Sequence, residues 1–337
     1  MMFNIKQRIK YVLKHGVVIL MYHRVANPVI DPWQLAVSAE NFEQHLKLLE
    51  RKNIVKPLPQ IIEDLKNKKI SKKSIAITFD DGYEDNYLIA KPLLEKYKLP
   101  ATFFITSKNI SSTRQFWWDE LAQILLQTQQ LPQILSLSIN GHAFSFDLGE
   151  ETLLNEELAN KHKNYVYFNP PETLRSRLYY KLWKHFSAIP DREQVKLMEQ
   201  IRTWAGAARD LQTAYHCLSA EQVKELSACQ LFNIGGHTLS HPALPFYDKN
   251  VQQEEILGNK LHLEQITGEK INLFAYPSGK YNDLTIKILN QMSFQAAFTT
   301  NARKVEKYAD PFTLGRFQVT NSNGDQLKHW LLKWFAQ

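Results

Sequence analysis

Residues 74–82 read Ser-Ile-Ala-Ile-Thr-Phe-Asp-Asp-Gly. The run from Ser74 to Phe79 is short, apolar and rich in β-branched residues, as a buried strand is, and it stops at two carboxylates and a glycine. A polar turn over Asp80 to Gly82 leads into an amphipathic stretch from about Asp85 to Tyr97, which predicts a helix, and then a further strand from Ala101 to Thr106. Strand, polar turn, helix and strand in that order make the repeating unit of a parallel sheet, because parallel neighbours need a crossover between them.

The same alternation extends in both directions. Upstream, Val17 to Tyr22 reads as a buried strand and Ser38 to Lys52 as a helix, with Ser38 as N-cap and Phe42, Leu46 and Leu49 in helical rhythm. Downstream come a helix near Ser219 to Ala228, a strand into Ile234, a helix from Val251 to Thr267 and a strand at Asn272 to Tyr276. Segments at Gln295 to Thr299 and Leu314 to Val319 close the series. The number of units argues for a barrel. Between Ser107 and His216 the rhythm breaks into a stretch rich in Gln, Leu and aromatics, punctuated by Asn169-Pro170-Pro171 and helical from Glu172 through Trp204. The chain therefore reads as a single domain over 1–337 carrying a mostly helical insertion over 107–216, either a lid or a cap that only packs.

Composition bounds the function. The chain is 44% hydrophobic and 22% charged, ordinary for a globular protein, and its formal charge of +7 is spread along the sequence. The basic residues gather only near the start (Lys6, Arg8, Lys10, Lys14) and at Lys66, Lys68, Lys69, Lys72 and Lys73. No nucleic-acid motif accompanies them, so they read as solvated surface and no nucleic-acid partner is expected. Two cysteines, Cys217 and Cys229, have neither metal-ligand spacing nor a disulfide framework. The apolar run Val17 to Met21 is too short to cross a membrane and no small-residue cleavage site follows, which predicts a cytoplasmic protein.

Four groups of polar residues fall at the ends of predicted strands, where barrel enzymes keep their chemistry. Thr78-Phe79-Asp80-Asp81-Gly82-Tyr83 can send two adjacent carboxylates in different directions, although Asp-Asp-Gly alone reads more readily as a turn. Gly235-Gly236-His237-Thr238-Leu239-Ser240-His241-Pro242 places two histidines four apart, and its glycines and proline favour a loop over a helix. Two neutral imidazoles and a carboxylate are a natural set for Zn²⁺ with one position open for water; Co²⁺, Ni²⁺ and Fe²⁺ fit it too. Phe274-Ala275-Tyr276-Pro277-Ser278-Gly279 can turn one backbone N–H toward a site, as an oxyanion hole requires. Ile19-Leu20-Met21-Tyr22-His23-Arg24 sets His23 at the mouth of the first strand.

Together these motifs resemble the polysaccharide deacetylase family, carbohydrate esterase family 4, from about Val17 to Val319 with the insertion left out. The opening Met21-Tyr22-His23-Arg24-Val25 looks like the branch whose barrel is permuted, similar to poly-N-acetylglucosamine deacetylases. The resemblance implies an α/β fold, a distorted (β/α)7-type barrel, and a hydrolase that removes N-acetyl groups from an envelope-related saccharide or its lipid-linked precursor. It implies Asp80 as general base, Asp81, His237 and His241 as metal ligands, the Ser278 backbone N–H as oxyanion donor and His23 as general acid. One position departs from the pattern. Ala275 stands where the family often carries an arginine that holds the base, and the resemblance points to Arg316, in Leu314-Gly315-Arg316-Phe317, as the substitute.

Substrate contacts are expected from Tyr83 and Pro277, beside the first and third motifs. Trp117 and Trp118 are further candidates, since they open the insertion and either stack on a sugar or fill a core. Leu327 to Phe335, with Trp330 and Trp334 among lysines, reads as a final helix on the barrel or as a peripheral membrane contact. Two other functions use the same residues: an O-acetyl esterase, and a catalytically silent carbohydrate-binding protein.

Overall fold

The structure is a computed structural model that describes residues 15–70, 72–112, 114–139, 141–207 and 215–337. Lys6, Arg8, Lys10 and Lys14, the basic start of the chain, lie outside the described residues. The chain divides into two compact units, one of residues 1–27, 35–111 and 218–337, the other of residues 28–34 and 112–217.

The first unit is built on a curled, seven-stranded parallel sheet, a half-barrel. In chain order its strands are β1 (Val17–Tyr22), β2 (Ser74–Phe79), β3 (Ala101–Ile105), β4 (Phe232–Gly236), β5 (Leu273–Ala275), β6 (Ala296–Phe298) and β7 (Phe317–Gln318). They lie in the spatial order β6-β5-β4-β3-β2-β1-β7. Alternation along each strand decides what fills which face. Val18, Leu20 and Tyr22 of β1, Ile75, Ile77 and Phe79 of β2 and Phe103 of β3 pack into one large cluster with the helices. Val17, Ile19, Ala76 and Phe104 point the other way, into a smaller cluster that also takes Leu58, Ile61, Ile62 and Leu65 from the helix Leu58–Lys66. Thr78 and Asp80 continue the register of Ala76, so Asp80 is directed to the inner face.

The stretch expected as a strand from Leu314 to Val319 pairs as a strand only at Phe317–Gln318. Leu314 forms an isolated bridge to Phe298 of β6, while Phe317 and Gln318 pair with Leu20 and Met21 of β1. A few residues therefore touch both edges of the sheet and draw them together, with Arg316 at the centre. Gly315 makes this possible: a Cβ there would sit 2.5 Å from the Arg303 carbonyl oxygen and 2.7 Å from that of Asn301.

Helix ends follow their sequence signals. Ser38 accepts a hydrogen bond from the Asn41 N–H to cap Ala39–Lys52, and Ser219 forms a reciprocal capping box at Ala220–Ala228. The helix expected from Asp85 to Tyr97 begins instead as a π-turn over Asn86–Ala90 and becomes α-helical only at Lys91–Lys96. The last helix, Gly324–Ala336, buries Leu327, Leu331 and Phe335, and Trp334 stacks on Phe317 at 4.7 Å. Its apolar face is thus taken up by the barrel. Among the described residues no helix is long and apolar enough to cross a membrane.

Among its described residues the second unit holds the α-helices Trp117–Gln127, Glu156–Lys163, Leu174–Phe186 and Asp191–Ala205. It also contains an antiparallel hairpin, Ile134–Ile139 with His142–Asp147, which the sequence reading does not anticipate. Buried Arg175 ties it together by donating to the carbonyls of Thr128, Glu151 and Thr152 at 2.6–2.8 Å. Residues 28–34, separated from this unit in sequence, join it through Trp33. That indole stacks on Tyr167 at 3.6 Å and donates from Nε1 to the Tyr179 hydroxyl at 2.9 Å.

Candidate active site

Asp80 and Asp81 leave the C-terminal end of β2 in opposite directions. The Asp80 N–H donates to the Tyr22 carbonyl, which ties the turn to β1, and Asp81 then adopts φ 75°. Thr238 (φ 64°), His241 (φ 63°) and Ser278 (φ 53°) share this left-handed backbone. Each such residue costs about 1–3 kcal/mol, so holding four of them at one edge of the sheet requires strong support from the surroundings.

Asn259 supplies much of that support. It is fully buried in the helix Lys249–Thr267, accepts the His237 N–H at 3.1 Å and donates to the carbonyls of Ile105 and Thr238 and to the Ser107 hydroxyl. One turn earlier Glu255 accepts from the Ser240 N–H and hydroxyl. The Thr238 hydroxyl donates to the His237 carbonyl and accepts the His241 N–H. The sequence reading passed over Asn259 and Glu255, because their i, i+4 spacing on a helix resembles any polar face.

The loop brings His237 and His241 to Asp81. Asp81 Oδ1 lies 3.3 Å from His237 Nε2 and 3.5 Å from His241 Nε2, and one donor atom of each residue lies within 4.8 Å of the others. His237 Nδ1 is 2.8 Å from the Ala275 carbonyl, which can only accept, so Nδ1 carries a proton and Nε2 faces the carboxylate. Electron-pair donors converging in this way need a cation among them. Two imidazoles and a carboxylate fit a divalent metal.

Protonation answers to the same geometry. Burial works to raise the pKa of Asp81, but the hydrogen bond from His237 and the nearby charges of His241 and His23 outweigh it and hold the group well below the usual carboxylate range. Burial likewise opposes protonation of His237, yet its bond to Asp81 and the charges of Asp80 and Asp81 leave it above the ordinary value. Burial prevails at His241, lowering its pKa to about 4 despite Asp81. Near neutral pH the His241 imidazole is therefore neutral, whereas the neighbouring carboxylates favour the protonated form of His237.

Asp80 has a different partner. Arg316 Nη1 and Nη2 donate to its two oxygens at 2.6 Å each, and Arg316 also donates to the Thr78 hydroxyl and the Thr299 carbonyl. The side chains are 0% and 2% exposed. Burial alone would raise the pKa of Asp80; the charges of Arg316, His237 and His23 overcome it, and the net shift is downward. The guanidinium thus comes from the segment that draws the sheet edges together, bridged through Leu314 to Phe298, the neighbour of Ala275 in the sheet.

His23 follows β1. Its carbonyl accepts from Asn86 Nδ2 at 2.8 Å, and its buried Nδ1 has no hydrogen-bond partner among the described residues. Ser278 sits on the turn after β5, where the Gly279 N–H donates to Tyr276 and the Lys280 N–H to Pro277, leaving the N–H of Ser278 outside those bonds.

The four residues expected to touch the substrate all lie in packed surroundings. Tyr83 is fully buried with the Arg24 guanidinium 4.6 Å above its ring, so it packs and offers no face to a sugar. Pro277 is buried as well. Trp118 stacks on Phe116 at 4.4 Å and Trp117 on Phe186 at 5.0 Å, both within the aromatic packing of the second unit.

The half-barrel gathers these ionisable groups at the C-terminal edge of its parallel sheet, where barrel enzymes place their chemistry. The polysaccharide deacetylase family model matches residues 67–135 and 200–297, and the chain belongs to that family. His23 and Arg316 lie outside the matched residues. YxkH, a polysaccharide deacetylase homologue of Bacillus subtilis (strain 168), is 22% identical over 304 residues, 90% of this chain and 71% of that protein. The poly-β-1,6-N-acetyl-D-glucosamine N-deacetylase of Staphylococcus aureus is 37% identical over 76 residues, 22% of this chain and 26% of that protein. Among solved structures, the Streptococcus pyogenes deacetylase PplD in complex with acetate shares the fold at a TM-score of 0.57 and 18% identity, covering 94% of this chain and 98% of its own. IcaB from Ammonifex degensii does so at 0.57 and 20%, covering 94% and 97%.

Proposed function

We propose that this polysaccharide deacetylase is a metal-dependent N-deacetylase of an envelope-related saccharide or its lipid-linked precursor. The observation that carries the reading is the separation of roles between adjacent carboxylates: Asp81 faces two imidazoles, whereas Asp80 faces a buried guanidinium. The short match to the staphylococcal enzyme favours N-acetylglucosamine as the sugar.

Asp81, His237 and His241 would hold the cation, which supplies Lewis acidity that polarises an amide carbonyl and lowers a water's pKa from about 15.7 toward about 7. Asp80 takes the proton of the attacking water. Its fork to Arg316 keeps it ionised and aimed, so its contribution is position and charge state rather than high basicity. The Ser278 N–H donates to the oxygen that gains negative charge as the carbonyl becomes tetrahedral. The amine then leaves only if protonated, and His23, whose Nδ1 has no partner among the described residues, delivers that proton.

Acetate release tests this. The metal-reconstituted protein should free acetate from N-acetylglucosamine oligomers, and Asp80→Asn should cut the rate by about 10² to 10⁴. Release from O-acetylated glycans alone would make the protein an esterase with the same machinery. No release from any glycan, with sugar binding equal in wild type and Asp80→Asn, would leave a binding protein.

A further inference from the structure

At the N-terminal end of the barrel, opposite the strand ends that carry Asp80 and His237, lies an open cavity of about 1050 Å³. Gly16, just before β1, and Ile70, just before β2, form part of its wall, so about 20 Å of strand separates it from the candidate active site. Two segments more than 200 residues apart in sequence meet there. One contributes Lys68, from a run in which Lys66, Lys68, Lys69 and Lys72 are all exposed, and the other contributes Arg303, Lys304 and Lys307. Two acids, Glu306 and Asp310, also line it, leaving the basic side chains in excess.

Lys304 is the informative member. It is only 8% exposed, yet its ammonium has two distant contacts: the Phe335 carbonyl at 3.5 Å and the Glu306 carboxylate, itself largely exposed, at 3.6 Å. Neither is a strong hydrogen bond, and a buried ammonium is costly without close acceptors. Gly16 makes room for it, since a Cβ there would lie 3.2 Å from Lys304 Cδ. At the rim Tyr308 is 77% exposed, with the ammonium groups of Lys68 and Lys307 5.9 and 5.4 Å from its ring centre. A buried, under-satisfied cation at the wall of a cavity ringed by exposed basic side chains suits an acceptor with several oxygens and more than one negative charge.

We propose that this cavity binds a phosphate-bearing group, as a site separate from the deacetylase centre. Free pyrophosphate and the headgroup of an anionic lipid both carry that chemistry, and the two sources predict different experiments. Calorimetry of the purified full chain with inorganic pyrophosphate is set beside co-sedimentation with phosphatidylglycerol and with phosphatidylcholine vesicles. The expected result is saturable binding that weakens about tenfold or more in Lys304→Met and in the surface pair Lys68→Gln with Lys307→Gln. The surface pair guards against misfolding of the buried variant, because its thermal unfolding should match the wild type. Binding of pyrophosphate assigns a soluble ligand. Binding to phosphatidylglycerol vesicles only, lost in the same variants, assigns a lipid headgroup. No binding in either arm, or binding that wild type and both variants share equally, overturns the proposal.

Discussion

Arg316 and Asp80 stand 236 residues apart in sequence and form a two-pronged ion pair, each guanidinium Nη 2.6 Å from one carboxylate oxygen, with both side chains buried. The pair fixes both the charge and the direction of the group proposed as base.

Arg316→Lys keeps a positive charge but cannot fork. We expect kcat to fall by about 10–100-fold. The folded-state pKa of Asp80 lies below its ordinary value, so the pair's contribution to stability is present above that ordinary value and is lost as pH falls through the folded one. In the variant the acid limb of the kcat/KM profile should therefore move upward. An unchanged limb would show that Asp80 does not set it.

Elemental analysis should find near one divalent metal per chain. His237→Ala with His241→Ala should lose it, and a chelator should abolish activity that added Zn²⁺, Co²⁺, Ni²⁺ or Fe²⁺ restores. Equal metal in both proteins would place the cation elsewhere.

Asn259→Ala removes the acceptor for the His237 N–H and the donor to Ile105, Ser107 and Thr238. Support of this kind typically governs metal affinity by about 10–100-fold. A competition titration against a fluorescent chelator should show that loss, with Asn259→Ser retaining more affinity than Asn259→Ala. A variant that unfolds earlier yet binds metal normally would reduce Asn259 to a packing role.

His45 offers a test of stability away from the site. It is buried between the Tyr22 hydroxyl on Nδ1 and the Ser322 carbonyl on Nε2, and burial lowers its pKa from 6.5 to about 4. The unfolded chain binds its proton first, so this stabilisation is fully present above about pH 6.5 and lost as pH falls toward 4. At about 1.4 kcal/mol per pKa unit the change amounts to roughly 3 kcal/mol. Urea unfolding at pH 7.5 and pH 4.5 should show the loss, and His45→Gln should flatten it. An equal slope in the variant would assign it to other groups.

The order of strands and helices was legible in residues 74–106 and 219–276, because hydrophobic period and capping residues are local signals that each segment carries alone. So were Asp80, Asp81, His237 and His241, which stand at the ends of recognisable strands. The π-turn at Asn86–Ala90 and the hairpin in the second unit left no comparable trace. Nor could the sequence say that Trp33 would join the second unit, that Tyr83 would be sealed beneath Arg24, or that Asn259 would hold the histidine loop. Each depends on which faces of distant segments come together. The same holds for Lys68 and Lys304 at one cavity and for Arg316 upon Asp80: a local pattern sets where a side chain can point, but only the closed packing of the sheet brings its partner within hydrogen-bonding reach.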